Sequence, residues 1–151
     1  MSLLKFSVSG KSENETKFIA KAREFELVID EPPSLGGKDE AANPVEYLLA
    51  SYAGCLNVVG FIVAKEQGIE LRSLEINIEG DLDPSRFLGL GFDARSGFQH
   101  IEVELKADSD ASEEALTKWA QTVESRCPIS DNLSQLTPIQ IQVGNKDKVF
   151  A

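Results

Sequence analysis

The sequence predicts an α+β fold, in which strands come both before and after the helices. Segments 73–80 and 98–107 alternate apolar and polar side chains with period two, which indicates half-buried antiparallel strands. A long apolar run that begins after residue 43 carries the start signals of a helix. Strands, a long helix, strands, helices and a final strand follow one another without regular strand–helix alternation, so the pattern favours antiparallel sheets.

The first thirty residues predict a meander of short strands. Its segments LLKFSVS, TKFIA and EFELVI contain β-branched and aromatic residues, and Gly10, Asn14 and charged residues separate them. Residues 30–43, with the sequence DEPPSLGGKDEAAN, concentrate proline, glycine and charge and therefore predict a loop. This loop leads into the long helix.

The long helix has a signal at each of its ends. Asn43 can cap it, Pro44 suits its first position, and Glu46 can complete a capping box with Asn43. Gly68 marks its end. The sequence therefore predicts a helix over residues 44–67.

Two faces of this helix are apolar or small. Small residues recur at helical spacing and form a seam, which we expect to lie against another long helix: Ala50, Ala53, Asn57, Gly60 and Ala64. A neighbouring apolar face consists of Leu48, Tyr52, Cys55, Val59 and Ile62. We expect a helix of this kind to be buried at the centre of the fold, because glycines and polar residues dilute it and no basic cluster flanks it as in a membrane span.

The second half of the chain predicts two more helices and a last strand. Residues 83–97, DPSRFLGLGFDARSG, form a long connection between the two alternating strands. Ser112 caps a helix whose apolar stripe is Leu116, Trp119, Ala120 and Val123. Pro128 keeps Cys127 out of the helical conformation and opens a short helix, PISDNLSQL. The segment TPIQIQV alternates once more and predicts a strand.

Composition and charge exclude several classes of function. The 151 residues suggest one domain, and 25 acidic against 15 basic residues give a net charge of -10. A surface of this charge repels a phosphate backbone, so nucleic acid is not an expected partner. The start of the chain lacks the features of a secretory signal, and we expect a cytoplasmic location.

Two cysteines, Cys55 and Cys127, are the candidate reactive residues. They are far apart in the sequence and form no CxxC motif, and one histidine, His100, gives no zinc-ligand spacing. We therefore expect neither a metal nor a cofactor. Each cysteine is open to two interpretations, an inert core thiol or a redox-active nucleophile. His100 alternates outward on its strand and is interpreted as a surface residue.

At both cysteines the sequence resembles a known family. The segment NPVEYLLASYAGC, followed by ESRCPISDNL, with ELVIDEPPSLGG before and PIQIQV after, is similar to the OsmC/Ohr family of osmotically inducible and organic-hydroperoxide-resistance proteins. The resemblance covers nearly the whole chain. It implies a single OsmC-like domain over residues 1–151, with antiparallel sheets wrapped around long central helices in an intertwined homodimer.

The resemblance also implies a two-cysteine peroxidase for organic hydroperoxides. By this likeness Cys55 attacks the peroxide oxygen and becomes a sulfenic acid, Cys127 then closes a disulfide, and an external dithiol restores both thiols. The alternative is a module that binds a small apolar ligand in a pocket at the dimer interface. A different thiol-dependent redox role is a third hypothesis.

Two positions depart from the pattern of the family's peroxidases. Val45 stands where they carry a glutamate, and Glu46, which follows it, faces away from Cys55 on a straight helix and is interpreted as a cap. Asn14 stands near the place of their arginine. Arg23 is the nearest arginine and Arg126 adjoins Cys127, but neither is assigned to the site. These departures keep the binding hypothesis open.

Overall fold

The structure, a computed structural model, describes residues 1–144. One antiparallel sheet contains β1 (Ser9–Ser12), β2 (Phe18–Ala22) and β3 (Phe25–Ile29), and a second contains β4 (Ser73–Leu82) and β5 (Phe98–Asp108). The helices are α1 (Pro44–Glu66), α2 (Glu113–Arg126) and α3 (Pro128–Ser134). The predicted α+β class with antiparallel sheets is confirmed. Residues 145–151 of the expected single domain lie outside the described part.

Helix α1 begins at the predicted residue and ends within one residue of the predicted end. The Asn43 side chain accepts a hydrogen bond from the Glu46 amide at 2.9 Å, and the Glu46 carboxylate accepts one from the Asn43 amide at 2.9 Å. At the other end Gln67 is the C-cap, and Gly68 follows with a φ of 67°. The capping box uses the Glu46 carboxylate, as predicted, to satisfy the first turn of the helix.

The core forms where α1 packs against α2. The buried residues of α1 share one face: Tyr52, Leu56, Gly60, Val63 and Ala64. Trp119 and Val123 of α2 are buried against them, and the Trp119 indole donates a hydrogen bond to the Gly60 carbonyl oxygen at 2.9 Å. The single polar atom of this side chain is therefore satisfied inside the core.

The buried face of α1 differs from the predicted one. Leu56 and Val63 are buried, whereas Leu48 and Ile62, which the prediction placed on the apolar face, remain exposed. The small-residue seam also divides, because Gly60 and Ala64 lie beneath α2 while Asn57 is exposed. Helix α1 is apolar on nearly every side, so periodicity alone does not identify the side that meets α2.

Helix α1 is less buried than expected of a central helix. By length and apolar composition alone it is a candidate membrane span, with mean hydropathy 1.8 over its most apolar 18-residue window. It packs against α2, α3 and β4, as a core helix does. Only 28% of that window is buried inside the chain, and Val58, Phe61 and Ile62 remain exposed.

The β4–β5 sheet covers one side of the helices. Its register pairs Ile76 with Leu105 and Ile78 with Val103, so both apolar sets point to the same face of the sheet. That face packs against the core of α1 and α2, and the opposite face carries the charged residues of both strands. The alternation seen in the sequence is confirmed as an inward and outward pattern.

A buried carboxylate organises the loop between β3 and α1. One Asp30 oxygen accepts hydrogen bonds from the Lys38 and Glu40 amides, each at 3.2 Å. Burial raises the pKa of the Asp30 carboxyl, but hydrogen bonding by backbone amides of the loop outweighs burial, so this pKa lies below its ordinary value. These bonds hold together a loop that contains a short 3-10 helix at Pro33–Leu35.

Two side-chain contacts hold the first sheet in place. One joins the β1–β2 turn to the loop before α1, and the other joins β3 to α1. Lys17, at the turn between β1 and β2, forms an ion pair with Glu40 of the loop. The Tyr47 hydroxyl of α1 donates a hydrogen bond to the Val28 carbonyl oxygen of β3 at 2.7 Å. The first sheet is thus attached to the start of α1.

Two predicted strands at the chain ends differ from the structure. The first was expected over LLKFSVS, but β1 begins at Ser9, and the apolar residues before it are exposed. The last was expected over TPIQIQV, but residues 137–143 form no strand, and Ile139, Ile141 and Val143 are more than four-fifths exposed. Alternation indicates strand propensity, but a strand also needs a paired neighbour, and neither segment pairs with a sheet edge among the described residues.

The two glycines of α1 provide a matched test of the α1–α2 contact. A β-carbon at Gly60 would lie 3.1 Å from Leu74 and 3.2 Å from the Trp119 ring, whereas one at Gly54 meets nothing within 4 Å. Gly60→Ala should lower the free energy of unfolding by about 1 kcal/mol, whereas Gly54→Ala should lower it less or not at all, because its β-carbon meets no atom of α2 or the sheet. Urea unfolding followed by circular dichroism measures both. Equal effects of the two substitutions would contradict the packing described.

Candidate dithiol site

The junction between α2 and α3 positions Cys127. This residue is extended, with φ -80° and ψ 114°, and it is at once the C-cap of α2 and the N-cap of α3. Its sulfur accepts a hydrogen bond from the Ser130 amide at 3.4 Å, as a serine oxygen would at an N-cap. Pro128 follows at the first position of α3, so the predicted break at Cys127 is confirmed. Cys127 is buried, with 1% of its surface exposed.

Cys55 lies in the middle of α1 and meets Cys127. The two sulfur atoms are 2.7 Å apart, and both cysteines are free thiols. Cys55 is half-buried at the edge of the core. The fold therefore brings together the two candidate residues that the sequence singled out, although they belong to different helices.

The surroundings of Cys55 disfavour its thiolate. Burial raises the pKa of the Cys55 thiol, and the hydrogen bond and charge interaction with Cys127 raise it further. The Ile129 amide, in the first turn of α3, lowers this pKa by hydrogen bonding to the sulfur, but it does not offset the other causes. The net pKa of Cys55 is therefore above its ordinary value, and at neutral pH the thiol is predominantly protonated.

The two arginines considered from the sequence are engaged elsewhere. Arg126 adjoins Cys127, but its guanidinium forms an ion pair with Glu66. Arg23 lies in the turn between β2 and β3, with a φ of 55°, and its guanidinium stacks over the Phe25 ring at 4.9 Å. Neither guanidinium is used to stabilise a thiolate, which agrees with the raised pKa of Cys55.

Asn14, which stands near the place of the expected arginine, and Glu46, which follows Val45 at the place of the expected glutamate, have structural roles. The Asn14 side chain accepts hydrogen bonds from the Thr16 amide at 3.0 Å and the Lys17 amide at 2.7 Å, and so closes the turn after β1. Glu46 completes the cap of α1. Neither side chain is therefore free to activate Cys55.

A buried polar pair lies next to the thiols and was not foreseen from the sequence. The Tyr52 hydroxyl donates a hydrogen bond to the Ser130 hydroxyl oxygen at 3.2 Å, and both residues are buried. Tyr52 precedes Cys55 by one helical turn, and Ser130 also supplies the amide that bonds Cys127. The available signal was the position of Ser130, three residues after the capping cysteine, because the amide at that position is a usual partner of an N-cap side chain.

Within residues 1–144, His100 and the acidic residues are too dispersed to form a metal site. His100 is exposed near the start of β5, as interpreted from its alternation. Among residues 1–144, no group of three or more histidine, cysteine, aspartate or glutamate side chains is placed to hold a metal ion. The chemistry available at this site is that of two adjacent thiols.

A protein-family model and several solved structures match this chain. The model described as OsmC-like protein matches residues 37–142. No curated protein matches the chain. The OsmC-like protein from Mycoplasma pneumoniae is 20% identical with a TM-score of 0.76, over 87% of this chain and 88% of that one.

Two further structures carry names that refer to peroxide resistance. An organic hydroperoxide resistance protein OsmC from Legionella pneumophila is 21% identical with a TM-score of 0.64, over 88% of this chain and 91% of that one. An organic hydroperoxide resistance protein from Elizabethkingia anophelis is 21% identical with a TM-score of 0.64, over 87% and 89%. At these identities the likeness establishes a shared fold.

The raised pKa of Cys55 predicts how its reactivity depends on pH. The rate of alkylation by iodoacetamide should still be rising with pH at pH 8, because only the thiolate reacts and the pKa of Cys55 lies above its ordinary value. Cys127→Ala removes a cause of the raised pKa and should move the profile to lower pH. Mass spectrometry of the Cys55 peptide measures the rate. A plateau below pH 8 in the wild type would contradict this environment for Cys55.

Proposed function

The chain belongs to the OsmC-like family, and on that premise we propose that it is a thiol-dependent peroxidase that reduces organic hydroperoxides. The observation that carries the proposal is the contact between the Cys55 and Cys127 sulfur atoms. Names of similar structures that refer to organic hydroperoxide resistance support the substrate class. Cytoplasmic location and an external dithiol as the reductant are parts of the same proposal.

The proposed cycle uses each thiol once. The Cys55 thiolate attacks one peroxide oxygen, the O–O bond breaks, and the alcohol leaves after taking up a proton, so Cys55 becomes a sulfenic acid. The Cys127 thiol then attacks the Cys55 sulfur, a disulfide forms, and water leaves. An external dithiol reduces this disulfide and is itself oxidised to a disulfide.

The geometry suits the second step in particular. A disulfide requires its two Cα atoms to lie within about 7 Å and its sulfur atoms to face each other. The thiols already touch, so their closure needs little backbone movement. Burial of Cys127 in the core also keeps the resolving thiol away from outside oxidants.

Apolar residues around Cys55 suit an alkyl peroxide. Tyr52 is buried one turn before Cys55, and Val59 is half-buried one turn after it. An alkyl group gains free energy from contact with such a surface, whereas hydrogen peroxide does not. We therefore infer a preference for alkyl hydroperoxides even where the raised pKa of Cys55 limits the rate.

We also propose that the protein acts as a homodimer of single-domain chains. The exposed side of α1 and both terminal segments carry large apolar residues, which include Val45, Leu48, Val58, Phe61, Ile62, Leu3, Phe6, Ile139 and Ile141. An apolar surface of this extent is typical of an interface. A second copy would cover α1 and offer sheet edges to the terminal segments, which fits the unpaired alternation of TPIQIQV.

One observation favours the binding hypothesis instead. The pKa of Cys55 is raised rather than lowered, and the guanidiniums of Arg23 and Arg126 are engaged elsewhere. A protonated thiol in apolar surroundings is the environment of an inert cysteine. A module that holds a small apolar ligand at the dimer interface is therefore the second candidate.

Peroxide consumption distinguishes the two candidates. In stopped-flow experiments, tert-butyl hydroperoxide should oxidise the reduced protein with a larger rate constant than hydrogen peroxide does. Cys127→Ser should accumulate a sulfenic acid on Cys55, detected by mass spectrometry as one added oxygen, because the resolving thiol is absent. Cys55→Ser is the matched control and should consume neither peroxide. Consumption no faster than that by free cysteine would refute the peroxidase and leave the ligand-binding module.

Sedimentation of a charged variant tests the dimer. The wild type should sediment as a dimer at low micromolar concentration. Val58→Glu should weaken association by about a hundredfold or more, because an unpaired charge would be buried at the interface. Ser125→Glu adds the same charge at an exposed position of α2 and should leave association unchanged. A monomeric wild type, or equal effects of the two variants, would overturn the assembly proposed.

A further inference from the structure

A cleft with a cationic end opens between the start of β5 and the helices. It has a volume of about 290 Å³, and its lining includes Arg95 and His100 on one side and Tyr52, Ser130 and Glu124 on the other. Neither cysteine lines it. The cleft is therefore a cavity next to the dithiol site and distinct from it.

Arg95 differs from the other arginines of the chain in having an unused guanidinium. Arg72 is paired with Asp108 and Asp110, Arg126 is paired with Glu66, and Arg23 and Arg86 stack on Phe25 and Phe92. Within residues 1–144, the Arg95 guanidinium forms no ion pair, no stacking contact with an aromatic ring and no side-chain hydrogen bond. A planar donor group that faces a cleft without a partner matches the geometry of a carboxylate.

The backbone around Arg95 is held in place by its neighbours. The Gln99 side-chain amide donates hydrogen bonds to the Arg95 carbonyl oxygen at 2.9 Å and to the Gly97 carbonyl oxygen at 2.8 Å. A β-carbon at Gly97 would lie 3.4 Å from the Arg95 guanidinium, so the glycine leaves room for that group. The end of the otherwise irregular connection 83–97 is thus fixed where Arg95 meets the cleft.

A second cleft continues from the first along β5. It has a volume of about 480 Å³, and the two clefts share the residues Tyr52, Ile101, Val103 and Glu124. Its floor is formed by the inward side chains of β5 and by Leu56 and Ala120 of the helices. The combined groove has Arg95 at one end and apolar side chains of β5 along its floor, with polar side chains that include Glu124 on its walls.

We propose that this groove binds a small organic acid with a linear apolar body, its carboxylate held by Arg95 and its hydrocarbon chain on the β5 floor. The Ser130 hydroxyl, which accepts from Tyr52, can donate its own proton to the same carboxylate. Glu124 is the carboxylate that lines both clefts, and it opposes an anion there. This binding does not depend on the thiol reaction.

The site lies one layer of side chains from the thiols. Tyr52 and Ser130 form its wall, and the Ser130 amide bonds the Cys127 sulfur. A bound acid would therefore contact Tyr52 and Ser130, and Ser130 lies in the first turn of α3. The groove offers this chain a way to select acidic ligands next to its dithiol.

Binding of hexanoate and hexan-1-ol, measured by NMR titration of the reduced wild-type protein, tests the proposal. The two probes share a chain length and differ in charge, so their affinity ratio isolates the contribution of Arg95. Hexanoate should bind about tenfold more tightly than hexan-1-ol, because its carboxylate can form a charge-assisted bidentate contact with Arg95. Arg95→Gln should bring the ratio close to one, Arg95→Lys should retain part of it, and Glu124→Gln should increase it a few-fold.

Arg23→Gln is the matched control, since it removes the same charge at an exposed turn and should leave the ratio unchanged. Comparison of two ligands on each variant separates a lost contact from a misfolded protein, which would bind neither. Equal affinity of hexanoate and hexan-1-ol for the wild type would overturn the proposal. So would an unchanged ratio in Arg95→Gln.

Discussion

The contact between Trp119 and the Gly60 backbone is the interaction on which the arrangement of the helices depends. Glycine at this position lets the indole approach α1 and donate to the Gly60 carbonyl oxygen without crowding, since a β-carbon there would lie 3.2 Å from the Trp119 ring. From this contact Cys55 lies toward the start of α1, and Cys127 lies toward the end of α2. The same packing brings the two thiols together, since Cys127 belongs to this core cluster and Cys55 lies at its edge. The chemistry of the site is thus set by packing, with Pro128 ending α2 at the point of meeting.

The environment of the thiols combines features that act in opposite directions. The junction between α2 and α3 supplies backbone amides to both sulfur atoms, which favours negative charge. Burial and the neighbouring thiol oppose it, and they prevail at Cys55. Two cysteines in direct contact are well arranged for exchange between themselves and poorly arranged to ionise together. This balance gives the resolving step of the proposed cycle a structural advantage that the first step lacks.

Local signals in the sequence were sufficient to predict most elements of the fold. Asn43 and Ser112 cap the helices as expected, Pro128 separates α2 from α3, and the alternating segments form β4 and β5. The buried face of α1 could not be predicted, because an apolar helix has no polar side to mark the outside. The terminal strands could not be placed either, since strand propensity does not specify a partner edge.

Prediction of the candidate site shows the same division. Cys55 and Cys127 were found because cysteine is rare in this chain and its chemistry is specific. Ser130 and Arg95 were missed because serine and arginine have many ordinary roles, and Arg95 lies in a connection without periodicity. The roles proposed for them rest on three-dimensional features, which are the buried hydroxyl of Ser130 and the unpaired guanidinium of Arg95 at the cleft.

The burial of Trp119 has a spectroscopic consequence. It is the one tryptophan of the chain, and 2% of its surface is exposed. Its intrinsic emission should therefore be blue-shifted and well shielded from aqueous quenchers such as iodide. Since the indole sits where α1 and α2 meet, a red shift would report their separation and little else. Rearrangements of the N-terminal sheet or of residues 83–97 should leave the tryptophan emission unchanged, so this emission reports on the α1–α2 interface alone.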